Sequence, residues 1–307
     1  MADPDALVSD LHDAHRRFLA LVADVRPELH RYCARMTGSV ADGEDIVQDT
    51  LARAYYALSE LEVMPPLRPW LFRIAHRRAI DHLRRYDRRM GQSLDDVADT
   101  AVSAALDAED ALARDEAVRA AISRFVELPA AQRSAVILKD VIGHSLDEIA
   151  ALLELSLAAV KAALHRGRTR LRATAAAGPA PAVATSPLVA RYAALFNARD
   201  WDAVRAMLAD DVRLDLVSRV QRSGRRDVGN YVDRYSAIDD WWLAPAWLDG
   251  REVIAVYRRR GADGAPPDYF IELDVTAGEV HRIRDFRYVP YIAADAAFRF
   301  PPAPPAM

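Results

Sequence analysis

The sequence predicts a multidomain chain with an all-α first half and an α+β second half. Its 307 residues exceed the length of one average domain, and 51% of them are hydrophobic, which is enough for more than one core. Apolar residues recur at helical spacing up to residue 173, whereas the alternation typical of strands is found only after Pro187. The intervening segment, ATAAAGPAPAVATSP (173–187), has the composition of a connector between folding units.

Helices account for the whole first half in this prediction. They are expected at approximately 10–25, 27–37, 41–61, 69–86, 107–127, 130–142, 145–153 and 157–174. The second half is expected to begin with two helices, the first capped by Ser186 and the second by Asp200. Strands follow at 212–217, 241–248, 252–260, 269–276 and 279–288, the last two joined by an Ala277-Gly278 hairpin turn, which predicts a curved antiparallel sheet.

Charged residues are grouped in local blocks that the net charge of the whole chain does not reveal. The formal net charge of −4 gives by itself no sign of nucleic-acid binding. However, residues 68–89 contain eight arginines against two aspartates, and residues 161–172 contain five basic residues and no acid. Residues 93–116 carry eight acids against one arginine. We therefore expect two arginine-rich surfaces, suited to phosphate contacts, separated by an acidic linker.

The first arginine-rich block mixes aromatic and basic side chains on one helix. Its apolar face comprises Trp70, Leu71, Ile74, Ile80 and Leu83. The remaining surface carries Arg73, Arg77, Arg78, Arg84 and Arg85. This mixture suits the capture of an opened DNA strand, because bases stack on aromatic rings while arginines neutralise phosphates.

The most specific motif is a pair of helices joined by a tight turn, SLDEIAALLELSLAAVKAALHRGR (145–168). Ser145 and Glu148 form a capping box, and Ser156 can cap the second helix. The outer face of that helix is expected to carry Ala158, Ala159, Lys161, Ala162, His165 and Arg168. A recognition helix presents such a face to the major groove. An amphipathic helix pair with a solvated basic end is the alternative interpretation.

Other kinds of chemistry find no support in the sequence. Cys33 is the only cysteine, which excludes an internal disulfide and a cysteine-based zinc site. No nucleotide-binding glycine motif, metalloprotease motif or nucleophile elbow is present. No apolar run is long enough for a membrane span, and no export signal is found. We expect a cytoplasmic protein without a metal or another cofactor.

The motifs of the first half, in this order, resemble those of a bacterial RNA polymerase sigma factor of the extracytoplasmic-function type (group IV). ADGEDIVQDTLARA (41–54) resembles the region-two helix that binds the clamp helices of the polymerase β′ subunit. LRPWLFRIAHRRAIDHLRR (67–85) resembles the part that melts and reads the −10 element. LPAAQR (128–133) and the helix-turn-helix resemble region four, which reads the −35 element.

The resemblance implies domain boundaries and site residues. Region two would occupy 10–90, the acidic linker 91–115, region four 116–174 and the connector 175–186. The linker either threads toward the RNA channel of the polymerase or is a solvated spacer. The implied contacts are, for the −10 element, Trp70, Arg73, Arg77, Arg78, Arg84 and Arg85; for the −35 element, Lys161, His165, Arg166 and Arg168; and for the polymerase, Glu44, Asp45, Gln48 and Asp49.

Residues 187–300 resemble the SnoaL-like group of the ketosteroid-isomerase superfamily, through ALFNARDWDAVRAMLADDV (194–212). Such domains are cones with a pocket. Its candidate lining is Tyr192, Phe196, Trp201, Trp241, Trp242, Tyr257, Tyr269 and Phe286, which can equally be core residues. Acidic residues available for catalysis are Asp215, Asp239, Asp240, Glu272, Asp274 and Asp285, although a cross-strand paired polar face explains several of them without catalysis.

The expected function is therefore that of a sigma factor, which brings core RNA polymerase to a promoter and opens the DNA without bond chemistry. The C-terminal domain is expected to regulate it by docking on the helical domains or the linker, in response to an unknown small molecule. Two alternatives stay open: a ligand-responsive helix-turn-helix repressor, and a SnoaL-like isomerase or cyclase. A deep pocket with a buried carboxylate near a tyrosine would favour the enzyme, and a pocket filled by tryptophans would exclude it.

Overall fold

The computed structural model describes residues 4–90, 122–174, 184–236, 238, 240–258, 266–294 and 296–301. The chain forms two compact units, Met1–Gly178 and Pro179–Met307, whose boundary falls within the expected connector. Each unit has its own hydrophobic core. The helical first half and the α+β second half are confirmed. Most of the expected helix 107–127 and the whole of the acidic linker lie outside the described residues.

The N-terminal unit is helical. Its helices are α1 (Pro4–Val22), α2 (Arg26–Thr37), α3 (Val40–Ala57), α4 (Leu67–Met90), α5 (Ala130–Val136), α6 (Leu146–Leu153) and α7 (Leu157–Thr174). Short 3-10 helices cover Leu58–Glu60 and Ile122–Glu127. α5 continues directly into a π-helical segment, Ile137–Ile142, so the single helix expected at 130–142 changes its hydrogen-bond pattern halfway.

Helix α2 lies at the centre of this unit, with Leu29, Tyr32 and Met36 among its fully buried side chains. It ends at Gly38, whose φ of +78° is the left-handed conformation that a helix terminus of this type requires. α3 crosses α2 closely at Gly43, where a Cβ would lie 2.6 Å from the backbone nitrogen of Ala34. The α2–α3 pair is therefore a tight support for α4.

The C-terminal unit combines one sheet with several helices. Its helices are α8 (Pro187–Asn197), α9 (Trp201–Ala206), α10 (Arg225–Ser236) and α11 (Tyr291–Ala294). Its strands are β1 (Leu208–Leu216), β2 (Val220–Ser223), β3 (Trp241–Leu248), β4 (Arg251–Arg258), β5 (Tyr269–Thr276) and β6 (Glu279–Asp285). The strand order is β2-β1-β6-β5-β4-β3, with β1 parallel to β6 and all other neighbours antiparallel.

The register of the sheet separates an apolar face from a polar one. Ile283 of β6 pairs with Leu214 and Leu273 and points into the core. Arg284, one residue on, pairs with Asp215 and Glu272, and its guanidinium lies 3.0 Å from a Glu272 carboxylate oxygen. Cross-strand ion pairing thus accounts for these acids.

Three elements of the C-terminal unit were not predicted, namely β2, α10 and the short helix α11. β2 is a four-residue edge strand of mostly exposed residues, so it has no clear alternating pattern. α10 contains a glycine and many charged residues, and its apolar residues are restricted to Val228, Tyr231, Val232 and Tyr235 at helical spacing. The two-residue turn at Ala277-Gly278 is confirmed, with φ of 52° and 86°.

Candidate nucleic-acid and polymerase interface

Helix α4 presents arginines on the side opposite its buried face. Leu71, Phe72, Ala75 and Ala79 are fully buried and fix the rotation of the helix about its axis. Trp70 is half-buried and packs against the core. The exposed arginines of this helix include Arg73, Arg77, Arg84 and Arg85. The structure therefore brings four of the five expected −10 arginines to the surface of one helix.

Arg78, the fifth of these arginines, is half-buried and paired. Its guanidinium donates to Asp49 of α3 at 2.5 Å and to Asp81 at 2.9 Å. Asp49 also accepts from Arg53 at 3.1 Å. Arg78 thus ties the arginine-bearing helix to the helix expected to bind the polymerase, and its charge is largely compensated.

The expected polymerase contacts on α3 divide into exposed and buried residues. Asp45 is exposed, and Gln48 and Asp49 are partly exposed. Glu44 is instead fully buried, with its carboxylate 2.6 Å from the Arg26 guanidinium. The assignment of Glu44 as a polymerase contact is therefore corrected: its side chain is an internal ion-pair partner between α2 and α3.

The helix-turn-helix is formed as the sequence indicates. Ser145 caps α6 in a full capping box with Glu148. The helix ends at Glu154 in the left-handed conformation, with φ of 59°, and the Ser156 hydroxyl accepts from the Ala159 amide to begin α7. Gly167 lets α7 approach α5, because a Cβ there would meet Val136 at 2.6 Å.

Helix α7 offers fewer outer residues than expected. Lys161 and His165 are exposed, and Arg166 is half-buried. Ala162, expected on the outer face, is buried. Arg168 is 7% exposed and holds Asp140 in a bidentate pair at 2.6 and 2.9 Å, so its assignment as a −35 contact is corrected to a structural role. The sequence of α7 alone does not reveal that Asp140, an acid from another segment, faces Arg168.

Two histidines packed inside the N-terminal unit have lowered pKa values. Burial, with a smaller effect of Arg77, lowers the pKa of His76 to about 4, and its Nδ1 lies 2.7 Å from the Tyr32 hydroxyl. Burial and the nearby Arg68 also lower the pKa of His144, whose ring packs edge-on against Phe72 at 5.0 Å between centroids. Both rings are therefore neutral at pH 7.

Most of the expected pocket residues of the C-terminal unit form an aromatic cluster. Tyr192, Phe196, Trp241, Tyr269 and Phe286 are buried, whereas Trp201, Trp242 and Tyr257 are partly exposed. Rings within the cluster meet edge to face, as between Trp241 and Tyr269 at 5.6 Å. A cavity of about 330 Å³ adjoins the cluster at Tyr231, and its lining also includes Leu214, Leu216, Arg222 and Asn230. The aromatic side chains thus pack as a core.

One buried carboxylate stands out beside this cluster. Asp285 accepts hydrogen bonds from the hydroxyls of Tyr231 at 2.6 Å and Tyr235 at 2.8 Å, and Tyr269 extends the network to Tyr235 at 2.9 Å. Burial raises the pKa of Asp285 and those of the three tyrosines. Asp285 was among the expected acids, but its partners were missed because α10, which carries two of them, was not predicted.

Neither a membrane helix nor a metal cluster is found in the described parts of the chain. Among the helices that the structure describes, none combines the length and hydropathy needed to cross a bilayer. Within the same ranges, no three His, Cys, Asp or Glu side chains come together as metal ligands. The surfaces that remain to be explained are the arginines of α4, the acids of α3 and the outer face of α7.

Comparison with known proteins identifies the two helical regions that carry these surfaces. The families Sigma-70 region 2 and Sigma-70, region 4 match residues 21–89 and 118–171. The ECF RNA polymerase sigma factor SigW of Bacillus subtilis (strain 168) is 30% identical over 164 residues, which cover 50% of this chain and 87% of SigW. The crystal structure of the extracytoplasmic function sigma factor SigJ of Mycobacterium tuberculosis aligns with 87% of this chain and 95% of SigJ, at 25% identity and a TM-score of 0.35.

The C-terminal unit has structural neighbours of its own. A protein described as a ketosteroid isomerase from Kribbella flavida DSM 17836 covers 39% of this chain and 81% of its own, at 24% identity and a TM-score of 0.25. The family assignment rests on the helical half, where both sigma regions match in order and most of the length of SigW is covered. This chain belongs to the extracytoplasmic-function RNA polymerase sigma factors, which are initiation factors that bind core polymerase and promoter DNA and are not enzymes.

Proposed function

We propose that this sigma factor divides promoter recognition between α4 and α7. Arg73, Arg77, Arg84 and Arg85 of α4 hold the opened −10 strand, with Trp70 beside them. Lys161, His165 and Arg166 of α7 contact the −35 duplex. The exposed arginine face of α4 carries this proposal, because four exposed guanidinium groups on one helix can neutralise the phosphates of a DNA strand.

Asp45, Gln48 and Asp49 of α3 form the surface for the β′ clamp helices in this proposal, and the β subunit is a further contact. The domain limits follow the sequence: region two at 10–90, a linker at 91–115, region four at 116–174, a connector at 175–186 and the SnoaL-like domain at 187–300. A protein that works on core polymerase acts in the cytoplasm.

Run-off transcription with purified core polymerase tests this division of promoter recognition between α4 and α7. Arg84→Gln and Lys161→Gln each remove one exposed charge from one proposed DNA surface and should lower promoter-dependent transcription, while core polymerase is still retained in a pull-down. Arg16→Gln is the control, since it removes an exposed arginine of α1 that is paired with Asp13 and lies outside the proposed surfaces. Equal transcription by all three variants would contradict the assignment.

We further propose that the C-terminal unit regulates the helical unit by an intramolecular contact. The fusion of a second compact unit, with its own core, to a complete pair of sigma regions supports this idea. A small-molecule signal would enter the cavity beside Tyr231 and Asn230. A chain truncated after Thr174 should then differ from the full chain in promoter-dependent transcription at equal core-polymerase saturation; identical activity would count against regulation.

A further inference from the structure

The C-terminal unit carries a basic block to which the proposed function gives no role. The segment RLDLVSRVQRSGRR (213–226) contains five arginines and one aspartate. It runs from β1 through β2 into the first residues of α10, and all five arginines are exposed. The unit as a whole is close to neutral, with 17 arginines and 18 acids between Pro179 and Met307. The excess of positive charge is therefore a property of one edge of the sheet.

Most of these arginines are not compensated by acids. Among the described residues, no carboxylate lies within ion-pair distance of three of them, Arg213, Arg222 and Arg226. The other two have partners: Arg219 lies over the Tyr288 ring at 4.8 Å, and Arg225 is 3.4 Å from Asp210. An exposed guanidinium without a carboxylate neighbour remains available to a phosphate.

Two of the unpaired arginines line an open groove at this edge of the sheet. The groove has a volume of about 780 Å³, and its lining includes Arg213, Arg222 and Arg282 together with Gln221 and Ser223. The register places Arg213 of β1 beside Ser223 of β2 and Arg282 of β6. Neighbouring strands lie about 4.8 Å apart, so the three strands that supply these side chains span about 10 Å.

The acids that line the groove have basic partners. Asp215 lies 3.6 Å from the guanidinium of Arg282, and Asp211 lies 3.0 Å from Nδ1 of His281. The groups left for a ligand are therefore the two unpaired guanidinium groups and the neutral side chains of β2. Arginines flanked by hydroxyl and amide groups are typical of surfaces that bind phosphate oxygens.

The connector favours duplex DNA as the source of these phosphates. Residues 175–183, between α7 and the described part of the C-terminal unit, reach about 30 Å when extended. If α7 contacts the −35 element, this tether keeps the C-terminal unit close to the same duplex, at an effective concentration of about 1 mM. Non-specific phosphate contacts have dissociation constants of about 10⁻⁴ to 10⁻⁶ M, so they would be occupied under these conditions.

We propose that the C-terminal unit binds the phosphate backbone of the duplex upstream of the −35 element through Arg213 and Arg222. This inference rests on the proposed −35 contact of α7, and it adds a DNA surface outside the two sigma regions. The surface contacts phosphates only, so it adds affinity without sequence preference. The connector and a unit roughly 35 Å wide together cover about 20 base pairs at 3.4 Å per step.

Photocrosslinking with core polymerase and the full chain tests the position of this surface. A photoreactive group attached to Ser223→Cys in the groove should crosslink to DNA within about 20 base pairs upstream of the −35 element. The same group on Ala194→Cys, exposed on α8 of the same unit, is the control and should give few crosslinks. Cys33 is fully buried and does not compete for the reagent.

Binding to two promoter fragments tests the arginines. One fragment ends at the −35 element, and the other continues for about 30 base pairs upstream, beyond the expected reach. Native holoenzyme should bind the longer fragment about five- to twentyfold more tightly than does holoenzyme with Arg213→Gln and Arg222→Gln. The slope of log K against log salt should also become shallower by about 2 in this double variant.

A second double variant controls for the loss of charge. Arg191→Gln and Arg258→Gln remove two exposed arginines from α8 and β4, outside the groove, and should leave binding of the longer fragment unchanged. All holoenzymes share the same core polymerase, so upstream contacts made by the polymerase itself do not affect the comparison.

The outcomes separate this proposal from the sigma function. Equal binding of the longer fragment by native and groove-variant holoenzymes, without crosslinks from Ser223→Cys, would exclude the upstream surface, while promoter-dependent transcription would still support a sigma factor. Absence of such transcription with native protein would instead overturn the sigma function. If inorganic phosphate raises the Tm of the native chain but not of the groove variant, and fragment length has no effect, the groove binds a small anion and the DNA proposal is wrong.

Discussion

Buried ion pairs in the N-terminal unit connect the helices whose other faces carry exposed charged side chains. Asp140 and Arg168 join the π-helical segment to α7 by two short hydrogen bonds, and Arg26 with Glu44 joins α2 to α3. A buried ion pair contributes little net stability compared with an apolar pair, but an unpartnered buried charge is costly. These residues therefore position the proposed DNA and polymerase surfaces without belonging to them.

Arg168→Ala should destabilise the protein by about 3–5 kcal/mol, because Asp140 would be left as a buried charge without its bidentate partner. Urea unfolding that is monitored through hydrogen exchange of the α5 and α7 amides measures this loss of stability. Lys161→Ala on the exposed side of α7 is the control and should change stability by less than about 0.5 kcal/mol. Arg168→Ala with native stability and selectively weakened −35 binding would restore Arg168 as a DNA contact.

The stability of the N-terminal unit should fall as the pH is lowered from 6.5 toward 4. The folded protein keeps His76 neutral, with a pKa of about 4, and also lowers the pKa of His144, whereas the unfolded chain protonates both near pH 6.5. The unfolded state thus binds more protons in this range, which favours unfolding. The stabilisation is complete above pH 6.5 and is lost below it.

Hydrogen exchange of α2 and α4 amides at pH 7.5 and 5.0, corrected for intrinsic exchange rates, measures this effect. For one proton the slope is at most about 1.4 kcal/mol per pH unit. His76→Gln keeps a polar partner for Tyr32 but does not titrate, so its stability should depend less on pH. An equal decrease in the variant and the native protein would assign the pH dependence to other groups.

At the scale of elements, Gly43 and Gly229 are two helical glycines at which substitution by alanine should have opposite effects on stability. Alanine is favoured over glycine inside a helix by about 1 kcal/mol. At Gly43 the new Cβ would lie 2.6 Å from the backbone of Ala34, and overpacking of about 1–3 kcal/mol outweighs that gain. At Gly229 of α10 the nearest atom would be the flexible Arg205 side chain at 3.9 Å.

Gly43→Ala should therefore lower the free energy of unfolding, by up to about 2 kcal/mol, and weaken core-polymerase binding through displacement of α3. Gly229→Ala should raise the free energy of unfolding of the C-terminal unit by about 0.5–1 kcal/mol. Chemical denaturation of both variants measures the sign of each change in the free energy of unfolding. Stabilisation by Gly43→Ala would show that α2 and α3 separate more easily than their close crossing indicates.

The helices also show how much of the fold can be predicted from the sequence. α4, α6 and α7 were predictable because each has a helical apolar face and clear start signals, such as the Ser145 capping box. α10 was not, because its charged residues and Gly229 hide a narrow apolar stripe. The exposure of Arg73 or Lys161 follows from periodicity, but the burial of Arg168 and Glu44 depends on acids and arginines from other helices, which local patterns do not reveal.

At the scale of the whole molecule, the net charge of −4 is a sum over surfaces with different roles. Arg73, Arg84 and Arg85 of α4 are exposed, whereas the arginines of β6 are paired with acids of neighbouring strands. Each compact unit has its own core, so each can unfold in its own transition. This independence gives a way to measure regulation without knowing the promoter or the signal.

Scanning calorimetry of the full chain should give two transitions, and truncation after Thr174 should remove one of them. If the C-terminal unit docks on the sigma regions, the remaining transition should also move to a lower temperature, because a bound partner stabilises the folded state. A coupling free energy of about 1–3 kcal/mol corresponds to a decrease of roughly 2–10 °C for a unit of this size. An unchanged transition temperature, together with unchanged transcription, would mean that the two units are covalently linked but thermodynamically independent.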